Sequence, residues 1–398
     1  MRVCLYTESA LPLMGGQELV VDALARRFAE RGDQVVVLAP RPGRHLRLAD
    51  QDLPYDVVRH PRFISTRRYL GWYTRYLARI HRKYPFDILH CHSVYPTGYV
   101  ATRCRAVADV RLVITSHCGD VVPSSPLLRK PGVRQRSVLA LQRADAAIAI
   151  SDFAHEWLRA LCPNIRHIAR IPNGVELERY ATPIPRPEGL DAAIQSKRYF
   201  LFTGRLVQRK GVDLLLESFA GASQVGRHNV VLGGTGREES SLRRQAAELR
   251  IQDRVVFAGN IEGDTKTWLL QNALCTVIPS RISEGFPLVF LESCAAGRPV
   301  IGTRIPGLLG LIQPGETGLL VPPNSVEAVQ WALTLMSCNP ELRERMGKNA
   351  LAAANRYDWC SIVNAHLALY RELLGSDRQM KKGTQLFFTE TSWARTGR

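Results

Sequence analysis

Short apolar runs alternate with helical patterns along this chain, and that alternation constrains its fold more than any other feature. In the first half, the predicted strands are RVCLYT (2–7), QVVVLA (34–39), DILHCH (87–92), RLVITS (111–116), AAIAI (146–150) and RHIARI (166–171). Helical patterns lie between most of them; the first, at 17–32, carries Val20, Leu24 and Phe28 on one face. Such alternation is typical of a parallel sheet with helices on both faces. The first half therefore predicts a doubly wound α/β domain.

A proline-rich segment, ATPIPRPEG (181–189), interrupts the alternation, which then starts again. The second set of predicted strands is YFLFTG (199–204), NVVLGG (229–234), RVVFAG (254–259), CTVIPS (275–280) and RPVIGT (298–303). A chain of 398 residues is also long for one core. We therefore expect two Rossmann-like domains, at 1–178 and 199–357, joined by a linker at 179–198. The carboxyl ends of their sheets should face a central cleft, where ligands of such folds bind.

Bulk composition narrows the compartment and the partners. The formal net charge of +17 indicates an anionic partner, which could be nucleic acid, an acidic membrane or a phosphate-bearing substrate. No apolar run approaches the ~18 residues of a membrane span, and the N-terminus lacks the apolar region of a signal peptide. The nine cysteines form no CxxC pair, which favours free thiols in a reducing cytoplasm over disulfides or a zinc site.

Glycines and cations follow three of the predicted strands. Met14, Gly15 and Gly16 lie between strand one and helix one, where glycine permits close approach to a ligand or simply makes a turn. GRLVQRKG (204–211) contains Gly204, Arg205 and Lys210. Its two cations could grip a diphosphate, or they could be ordinary surface charge. GGTGRE (233–238), with Gly234, ends in a helix start whose amides suit a phosphate or a ribose.

The segment SEGFPLVFLE (283–292) places one acid before a predicted helix and one inside it. Proline suits the first turn of a helix, so the amides of residues 286–289 should lie at its positive end. From position alone, Glu284 and Glu292 suit hydrogen bonds to ligand hydroxyls, the first near a sugar and the second near a ribose. Alternatively, Glu284 caps the helix and Glu292 is solvated.

These motifs, taken in order with SHCGD (116–120) and IPNGV (171–175), resemble the family 4 retaining glycosyltransferases of GT-B fold. The resemblance covers roughly residues 1–375. It implies transfer of a sugar from a nucleotide-sugar with the anomeric configuration retained. It implies no metal or other cofactor, because cationic side chains and helix dipoles neutralise the leaving diphosphate. It also implies that the final helix, 358–375, crosses back onto the N-terminal domain, leaving 376–398 as a flexible tail.

The resemblance assigns roles to individual residues. Glu292 would hold the nucleotide ribose, and Glu284 would contact the donor sugar. The diphosphate and sugar would also meet Gly15, Gly16, Gly204, Arg205, Lys210, Gly234, Gly285, Phe286, Pro287, Leu288 and Val289. His117 matches the histidine that faces the donor sugar, and the catalytic set is His117, Glu284, Arg205 and Lys210. Asp120 and Asn173 are candidate acceptor contacts.

Two features depart from a simple assignment. Gly310, in PGLLGLI (306–312), stands where the family often has an acid, so no role is assigned there. His90 and His92 lie two apart on a strand and could bind a metal together with His117, although a structural role and no metal is the expectation.

The segment 66–84 carries much of the positive charge. At 100° per residue, an apolar stripe of Leu70, Tyr73, Leu77, Ile80 and Tyr84 lies opposite a basic face. That basic face comprises Arg68, Trp72, Arg75, Arg79 and Arg82. It suits an anionic membrane surface, or it is a solvated face. No nucleic-acid-binding module is recognisable, so no nucleic-acid partner is expected.

The expected function is a cytoplasmic retaining glycosyltransferase, peripheral on the inner face of the plasma membrane. Its acceptor would be lipid-linked or a polysaccharide or other glycan, in cell-envelope or exopolysaccharide synthesis. Two alternatives stay open. One is another GT-B enzyme acting on nucleotide-sugars, such as an epimerase or synthase, and the other is a non-catalytic nucleotide-sugar sensor.

Overall fold

The computed structural model describes residues 1–375, except 14, 44–49, 63–64, 196–197, 223–224 and 227; the side chains of residues 51 and 67 are also not described. The predicted tail at 376–398 and Met14 of the Gly-Gly loop thus lie outside the described residues. Contacts divide the chain into two units. The first comprises Met1–Asn173 with the chain from Cys360 onward, and the second comprises Gly174–Trp359.

The N-terminal unit is built on a parallel sheet. Its strands are β1 (Arg2–Tyr6), β2 (Gln34–Pro40), β3 (Asp56–His60), β4 (Ile88–Cys91), β5 (Arg111–Ser116), β6 (Ala146–Ala149) and β7 (Ile168–Arg170). They pair in the order β3-β2-β1-β4-β5-β6-β7, and every pairing is parallel. The helices are α1 (Gly16–Glu30), α2 (Thr66–Lys83), α3 (Tyr99–Arg103), α4 (Val133–Arg143) and α5 (Asp152–Leu161).

The C-terminal unit repeats this plan. Its strands are β8 (Tyr199–Thr203), β9 (Asn229–Gly233), β10 (Val255–Gly259), β11 (Cys275–Ile278), β12 (Val300–Thr303) and β13 (Gly318–Val321), in the parallel order β10-β9-β8-β11-β12-β13. The helices are α6 (Leu177–Ala181), α7 (Val212–Gly221), α8 (Glu239–Glu248), α9 (Gly263–Asn272), α10 (Leu288–Ala295), α11 (Val326–Cys338) and α12 (Pro340–Ala354). The last helix within the described residues is α13 (Trp359–Leu373). Two parallel, doubly wound sheets confirm the predicted architecture.

The sequence pattern missed two strands, and both lie at an edge of their sheet. β3 has the sequence DVVRH, is only partly buried and begins on an exposed aspartate. β13 begins at Gly318, where a β-carbon would come within 2.1 Å of the Val300 carbonyl oxygen. β3 lacks the continuous apolar run that marks a buried strand, in keeping with an edge strand that has a partner on one side only, whereas β13 is a short apolar run, GLLV, that begins on glycine.

The chain passes from the first unit to the second at Asn173–Gly174, earlier than the expected boundary at 178. The segment expected to be a linker contacts α9 of the C-terminal unit. Arg179 Nε donates to Thr267 Oγ1 at 2.8 Å, and the Ile184 amide donates to Gln271 Oε1 at 3.3 Å. This segment is therefore attached to the second sheet's helices.

The segment that leads into the C-terminal unit lies beside the segment that leads out of it. The Val175 amide donates to the Tyr357 carbonyl at 2.8 Å, and the Trp359 amide donates to the Val175 carbonyl at 3.3 Å. A β-carbon on Gly174 would lie 2.4 Å from the Trp359 ring, so only glycine fits against the indole. Beyond this point α13 packs on the N-terminal unit, where Tyr370 is fully buried and lies 5.8 Å from the Phe28 ring.

Candidate functional site

The loops that follow β8 and β9 pack directly against each other. The Gly204 amide donates to the Gly233 carbonyl and the Leu206 amide to the Thr235 carbonyl, both at 2.9 Å. Gly234 has a φ of +138°, and a β-carbon there would lie 2.0 Å from the Gly204 carbonyl oxygen. Glycine is thus required for the two loops to meet at the carboxyl edge of the sheet. Contact of Gly204 and Gly234 with a ligand stays a prediction.

Glu284 forms a buried ion pair with Lys210. The Lys210 Nζ lies 2.7 Å from Glu284 Oε1, and Ser280 Oγ donates to the same oxygen at 2.6 Å. Glu284 is only 8% exposed. The alternative that Glu284 caps α10 is wrong, because the N-cap position belongs to Pro287 and no side chain caps this helix. The carboxylate instead connects the loop after β8 to the loop after β11.

The backbone around Glu284 is held by the segment after β12. The Glu284 amide donates to the Pro306 carbonyl at 3.1 Å. Gly307 has a φ of +90°, and a β-carbon there would lie 1.9 Å from the Glu284 carbonyl oxygen. Pro306 and Gly307 therefore position Glu284, whereas Gly310, further along the same segment, is exposed.

Glu292 is held by a lysine that the sequence analysis did not single out. Lys266 Nζ, on α9, lies 2.6 Å from Glu292 Oε1, and the side chain of Glu292 is 15% exposed. The alternative that Glu292 is simply solvated is therefore wrong. Its second oxygen, Oε2, is buried and has no hydrogen-bond partner among the described residues. An unsatisfied buried carboxylate oxygen is costly, so a ligand hydroxyl that donated to it would gain the full value of that bond.

Tyr180 lies close enough to Glu292 for the carboxylate charge to affect its phenol. Burial raises the pKa of Tyr180, and the negative charge of Glu292 raises it further. The phenol of Tyr180, on α6, is therefore neutral near pH 7.

Arg205 and the start of α10 add positive charge at the carboxyl edge of the C-terminal sheet. Arg205 is exposed and forms no ion pair within the described part of the chain. Phe286 packs inward with its ring edge-to-face against Tyr357 at 5.7 Å. Leu288 and Val289 open α10, so their amides belong to the first turn, which has no intrahelical acceptor and carries the positive end of the helix dipole. Together these groups form a surface suited to an anion.

In the N-terminal unit, the predicted Gly-Gly loop lies between β1 and α1. Gly15 occupies the N-cap position of α1 with extended backbone, and Gly16 is the first residue of the helix. The Leu19 amide donates to the Gly15 carbonyl at 3.1 Å. The loop thus ends at a helix N-terminus.

His117 is connected to a buried histidine on the neighbouring strand. His117 Nε2 lies 3.2 Å from His92 Nδ1, and the two rings stack with centroids 5.5 Å apart. His92 in turn lies against His90, with ring centroids 4.2 Å apart. His117 Nε2 is thus engaged within the protein, and Nδ1 has no hydrogen-bond partner among the described residues.

The remaining contacts of these histidines are structural. His90 Nδ1 lies 2.6 Å from the Tyr370 hydroxyl and His90 Nε2 lies 2.7 Å from Thr115 Oγ1. Within the described ranges, no group of three histidine, cysteine or acidic side chains is arranged to hold a metal ion. Both ring nitrogens of His90 contact hydroxyl groups and His92 Nδ1 contacts His117 Nε2, while His92 Nε2 is buried and has no hydrogen-bond partner among the described residues.

Burial determines the charge state of this cluster. It lowers the pKa of His117 and of His366, on α13, to about 4, and it lowers the pKa of His90 and His92 well below the usual range. All four rings are therefore neutral near pH 7, and each has one donor and one acceptor nitrogen.

Asp120 has both carboxylate oxygens occupied by its own domain. Oδ2 accepts from the Val94 amide and Oδ1 from Ser116 Oγ, each at 2.7 Å, and burial raises its pKa. These bonds hold the loop that carries His117. Asn173, the other candidate acceptor contact, is buried at the boundary between the units.

The helix α2 has the two predicted faces. Tyr73, Leu77 and Ile80 are buried, while Leu70 and Tyr84 are partly buried. The opposite side exposes the predicted basic face: Arg68, Trp72, Arg75, Arg79 and Arg82. Trp72 is 40% exposed and stacks on Tyr76, with ring centroids 5.2 Å apart. No helix within the described residues combines the length and apolarity needed to cross a bilayer.

Comparison with known protein structures supports the fold. The chain is similar to sucrose-phosphate synthase from Thermosynechococcus elongatus, with a TM-score of 0.81 and 23% identity over 94% of this chain and all of that one. It is also similar to HepE from Anabaena in complex with UDP-glucose, with a TM-score of 0.74, 20% identity and coverage of 94% and 99% of the two chains. These similarities confirm the GT-B fold.

Sequence comparison reaches the same family. Residues 14–179 match the family model described as Glycosyltransferase Family 4, and residues 191–352 match the one described as Glycosyl transferases group 1. The chain is 30% identical to D-inositol 3-phosphate glycosyltransferase of Acidothermus cellulolyticus, over 92% of this chain and 87% of that one. It is 28% identical to phosphatidyl-myo-inositol mannosyltransferase of Mycobacterium leprae, over 96% and 99% of the two chains. The chain therefore belongs to glycosyltransferase family 4.

Proposed function

We propose that this protein transfers a sugar from a nucleotide-sugar to a lipid-linked or polysaccharide acceptor and retains the anomeric configuration. The observation that carries the proposal is the arrangement at one edge of the C-terminal sheet. There, Glu292 has a buried oxygen without a partner among the described residues, and Lys210, Arg205 and the start of α10 supply positive charge. The complex of HepE with UDP-glucose supports a nucleotide-sugar as donor.

Each group has a role that follows from its surroundings. Lys266 holds Glu292 Oε1, so Oε2 is free to accept from a ribose hydroxyl. Arg205, Lys210 and the amides of Leu288 and Val289 bind the diphosphate. Glu284 is fixed by Lys210 and Ser280, so it can accept from a hydroxyl of the donor sugar without reorienting.

In the N-terminal domain, His117 meets the donor sugar through Nδ1, because Nε2 is taken by His92. His92 therefore positions His117. The Gly15–Gly16 loop approaches the diphosphate, and Asp120 and Asn173 border the acceptor.

The charge that develops in the reaction explains why cations are needed. Breaking the bond between sugar and diphosphate leaves negative charge on the phosphate and positive character on the sugar carbon. Arg205, Lys210 and the helix N-terminus stabilise that negative charge, the part which a metal plays in other enzymes. We propose that the acceptor attacks the face from which the diphosphate leaves, with the leaving phosphate accepting the acceptor's proton.

The function is tested by incubating the purified protein with a panel of labelled nucleotide-sugars, with and without lipid and glycan acceptors. A glycosyltransferase releases the nucleoside diphosphate and forms a glycoside whose anomeric configuration, read by NMR, equals that of the donor. An epimerase changes the sugar while it stays attached to the nucleotide. A sensor binds the donor and turns nothing over. Inverted configuration in the product would refute the retaining mechanism.

Membrane attachment through α2 is the second part of the proposal. The helix contains no acidic residue, and its exposed face carries four arginines beside Trp72. Each basic residue near an anionic bilayer contributes about 1 kcal/mol, and salt screens this attraction. The name of the Mycobacterium leprae relative, a phosphatidyl-myo-inositol mannosyltransferase, supports a lipid-bearing acceptor. We therefore place the protein on the inner face of the plasma membrane.

Co-sedimentation with phosphatidylserine-containing vesicles tests this attachment at low and high salt. Replacing Arg68, Arg75, Arg79 and Arg82 by glutamine should release the protein while leaving activity on a water-soluble acceptor intact. A control variant with the same loss of charge replaces four arginines that are exposed on other helices and loops: Arg237, Arg244, Arg345 and Arg371. Equal sedimentation of the two variants would show that α2 is only a solvated face.

A further inference from the structure

The C-terminal domain contains a cavity of about 240 Å³ away from the candidate donor site. One wall is a face of α12, and the other is formed by the turns that precede β11 and β12. The first turn contributes Ala273 and Leu274, and the second contributes the residues from Gly297 to Pro299.

The position of these turns separates the cavity from the candidate donor site. Leu274 immediately precedes β11 and Pro299 immediately precedes β12, so the cavity lies at the amino edge of the sheet. Gly204, Gly234 and Glu284 all follow strands and lie at the carboxyl edge. With a rise of about 3.3 Å per residue, strands this short place the two edges roughly 13–17 Å apart. A ligand in the cavity would not touch the donor-site groups.

The charge around the cavity is unbalanced. Arg298, Arg343 and Lys348 line it, and Glu344 is the one acid among the lining residues. Neither arginine forms an ion pair within the described ranges; each donates to backbone carbonyls instead. Burial lowers the pKa of both arginines and the charge of Arg343 lowers that of Arg298 further, while the carboxylate of Glu344 acts on both in the opposite direction. The two guanidinium groups are thus partly desolvated, and neither is in ion-pair contact with Glu344.

Carbonyl capping accounts for part of this arrangement. Arg298 Nη2 donates to the Gln271 carbonyl near the end of α9, and Arg343 Nη1 donates to the Met336 and Ser337 carbonyls near the end of α11. Cations at helix C-termini are stabilising, so these bonds have a structural purpose. Capping does not account for Arg298 Nε, which is buried and has no partner in the described structure. It also leaves Lys348 and the cavity itself unexplained.

We propose that this cavity binds a small phosphomonoester, such as a sugar phosphate. The phosphate would accept from Arg298 Nε and pair with Arg343 and Lys348, which matches the preference of guanidinium groups for phosphate. Leu274, Pro299 and Leu351 offer apolar walls to the carbon skeleton. A water molecule occupies about 30 Å³ in the liquid, so the cavity could hold several waters. It is therefore larger than a bare phosphate needs. It is also smaller than the usual range of ~300–1,000 Å³ for ligand pockets, which favours a small molecule over a nucleotide.

Calorimetric titration of the full chain at constant ionic strength tests the proposal. The probes are glucose 6-phosphate, inorganic phosphate and glucose, each added to the wild type and to an Arg205→Ala variant that removes a cation from the donor site. Glucose 6-phosphate should bind at least tenfold more tightly than inorganic phosphate, and glucose should not bind. The Arg205→Ala variant should bind glucose 6-phosphate as the wild type does. Glucose 6-phosphate binding no tighter than inorganic phosphate would overturn the phosphomonoester assignment.

Two variants locate the binding without disturbing the helix caps. Lys348→Glu reverses a charge at an exposed position, and Leu351→Trp fills the rim of the cavity at a residue that is 43% exposed. Each should weaken glucose 6-phosphate binding at least tenfold. Arg345→Gln, an exposed position on α12 that does not line the cavity, is the matched control and should bind as the wild type does. Unchanged binding in both Lys348→Glu and Leu351→Trp would refute this site, whatever the outcome of the glycosyltransferase assays.

Discussion

The two domains share one architecture but hold their candidate site residues by different chemistry. In the N-terminal domain, His117 belongs to a cluster of buried, neutral histidines that bond to each other and to hydroxyl groups. In the C-terminal domain, Glu284 and Glu292 are charged groups, each held by one lysine. The histidine cluster requires that its imidazole rings stay neutral. The two glutamates require that each carboxylate stays paired with its lysine. The domains should therefore respond differently to pH and to the loss of a single partner.

The largest expected effect comes from breaking the Lys210–Glu284 pair. Lys210→Ala leaves a carboxylate that is 8% exposed and whose one remaining side-chain partner among the described residues is Ser280. Removal of one member of a buried pair costs about 3–5 kcal/mol, because the other charge stays buried. We expect the free energy of unfolding of the C-terminal domain to fall by about 3 kcal/mol, measured by urea denaturation.

The control for this variant also removes the carboxylate of Glu284, which Lys210→Ala leaves without its lysine. Lys210→Ala combined with Glu284→Gln should recover most of the lost stability, since a neutral amide is less costly to bury. If Lys210→Ala alone is as stable as the wild type, the ion pair does not contribute to the free energy of unfolding.

The second expected effect is acid sensitivity of the N-terminal domain. His366 has a pKa of about 4 in the folded protein and ~6.5 when unfolded, so its contribution to stability is complete above pH 6.5 and is lost as pH falls towards 4. At pH 5 this one ring costs about 2 kcal/mol relative to pH 7. His117 acts in the same direction. The carboxyls of Glu8 and Asp120, whose pKa is raised by burial, act in the opposite one.

His366→Leu isolates that contribution from the others. Between pH 7 and pH 5 the variant should lose about 2 kcal/mol less stability than the wild type. Hydrogen exchange of peptides from α13 and β4, corrected for intrinsic rates, gives the measurement, and peptides from β8 and β9 serve as the internal reference. An identical loss in variant and wild type would mean that His366 is not the titrating group.

The smallest expected effect concerns Glu292. Glu292→Gln keeps the shape but removes the charge, so donor binding should weaken by about 1.5 kcal/mol, roughly tenfold. The melting temperature should change little, because Lys266 is itself partly exposed and becomes solvated. Titration with the nucleotide-sugar identified by the panel measures the affinity, and Glu248→Gln, on the exposed surface of α8, is the control. Unchanged donor affinity would contradict the ribose role.

Local patterns in the sequence carried the architecture and the placement of the motifs. The alternation of strands and helices predicted both sheets, and the two stripes of α2 were visible from a spacing of 100° per residue. Most candidate residues of the C-terminal domain were predicted in loops that follow a strand or precede a helix, and Glu292 was predicted inside a helix; the structure has them in these positions. These features depend on residues that are close together in the sequence, so a single sequence is enough to reveal them.

The partners of those residues could not be predicted, because they are set by packing between elements. Lys266 meets Glu292 only when α9 packs beside α10, and His92 meets His117 only when β4 pairs with β5. No local pattern marks either pair. Of the two missed strands, β3 has no continuous apolar run and β13 has only four residues, the first a glycine, so neither stands out without the neighbour with which it pairs.

The return of α13 to the N-terminal domain also sets an order of events during synthesis. Tyr370 fills its place against His90 across a separation of 280 residues. The C-terminal domain, by contrast, is one continuous stretch from Gly174 to Trp359. As the chain leaves the ribosome, the domain made second is complete before the domain made first has received its last helix. Until then, helix α1 carries an uncovered apolar face around Phe28, which is the kind of surface that chaperones bind. A chain truncated just after Trp359 would contain a complete C-terminal domain attached to an N-terminal domain that lacks α13.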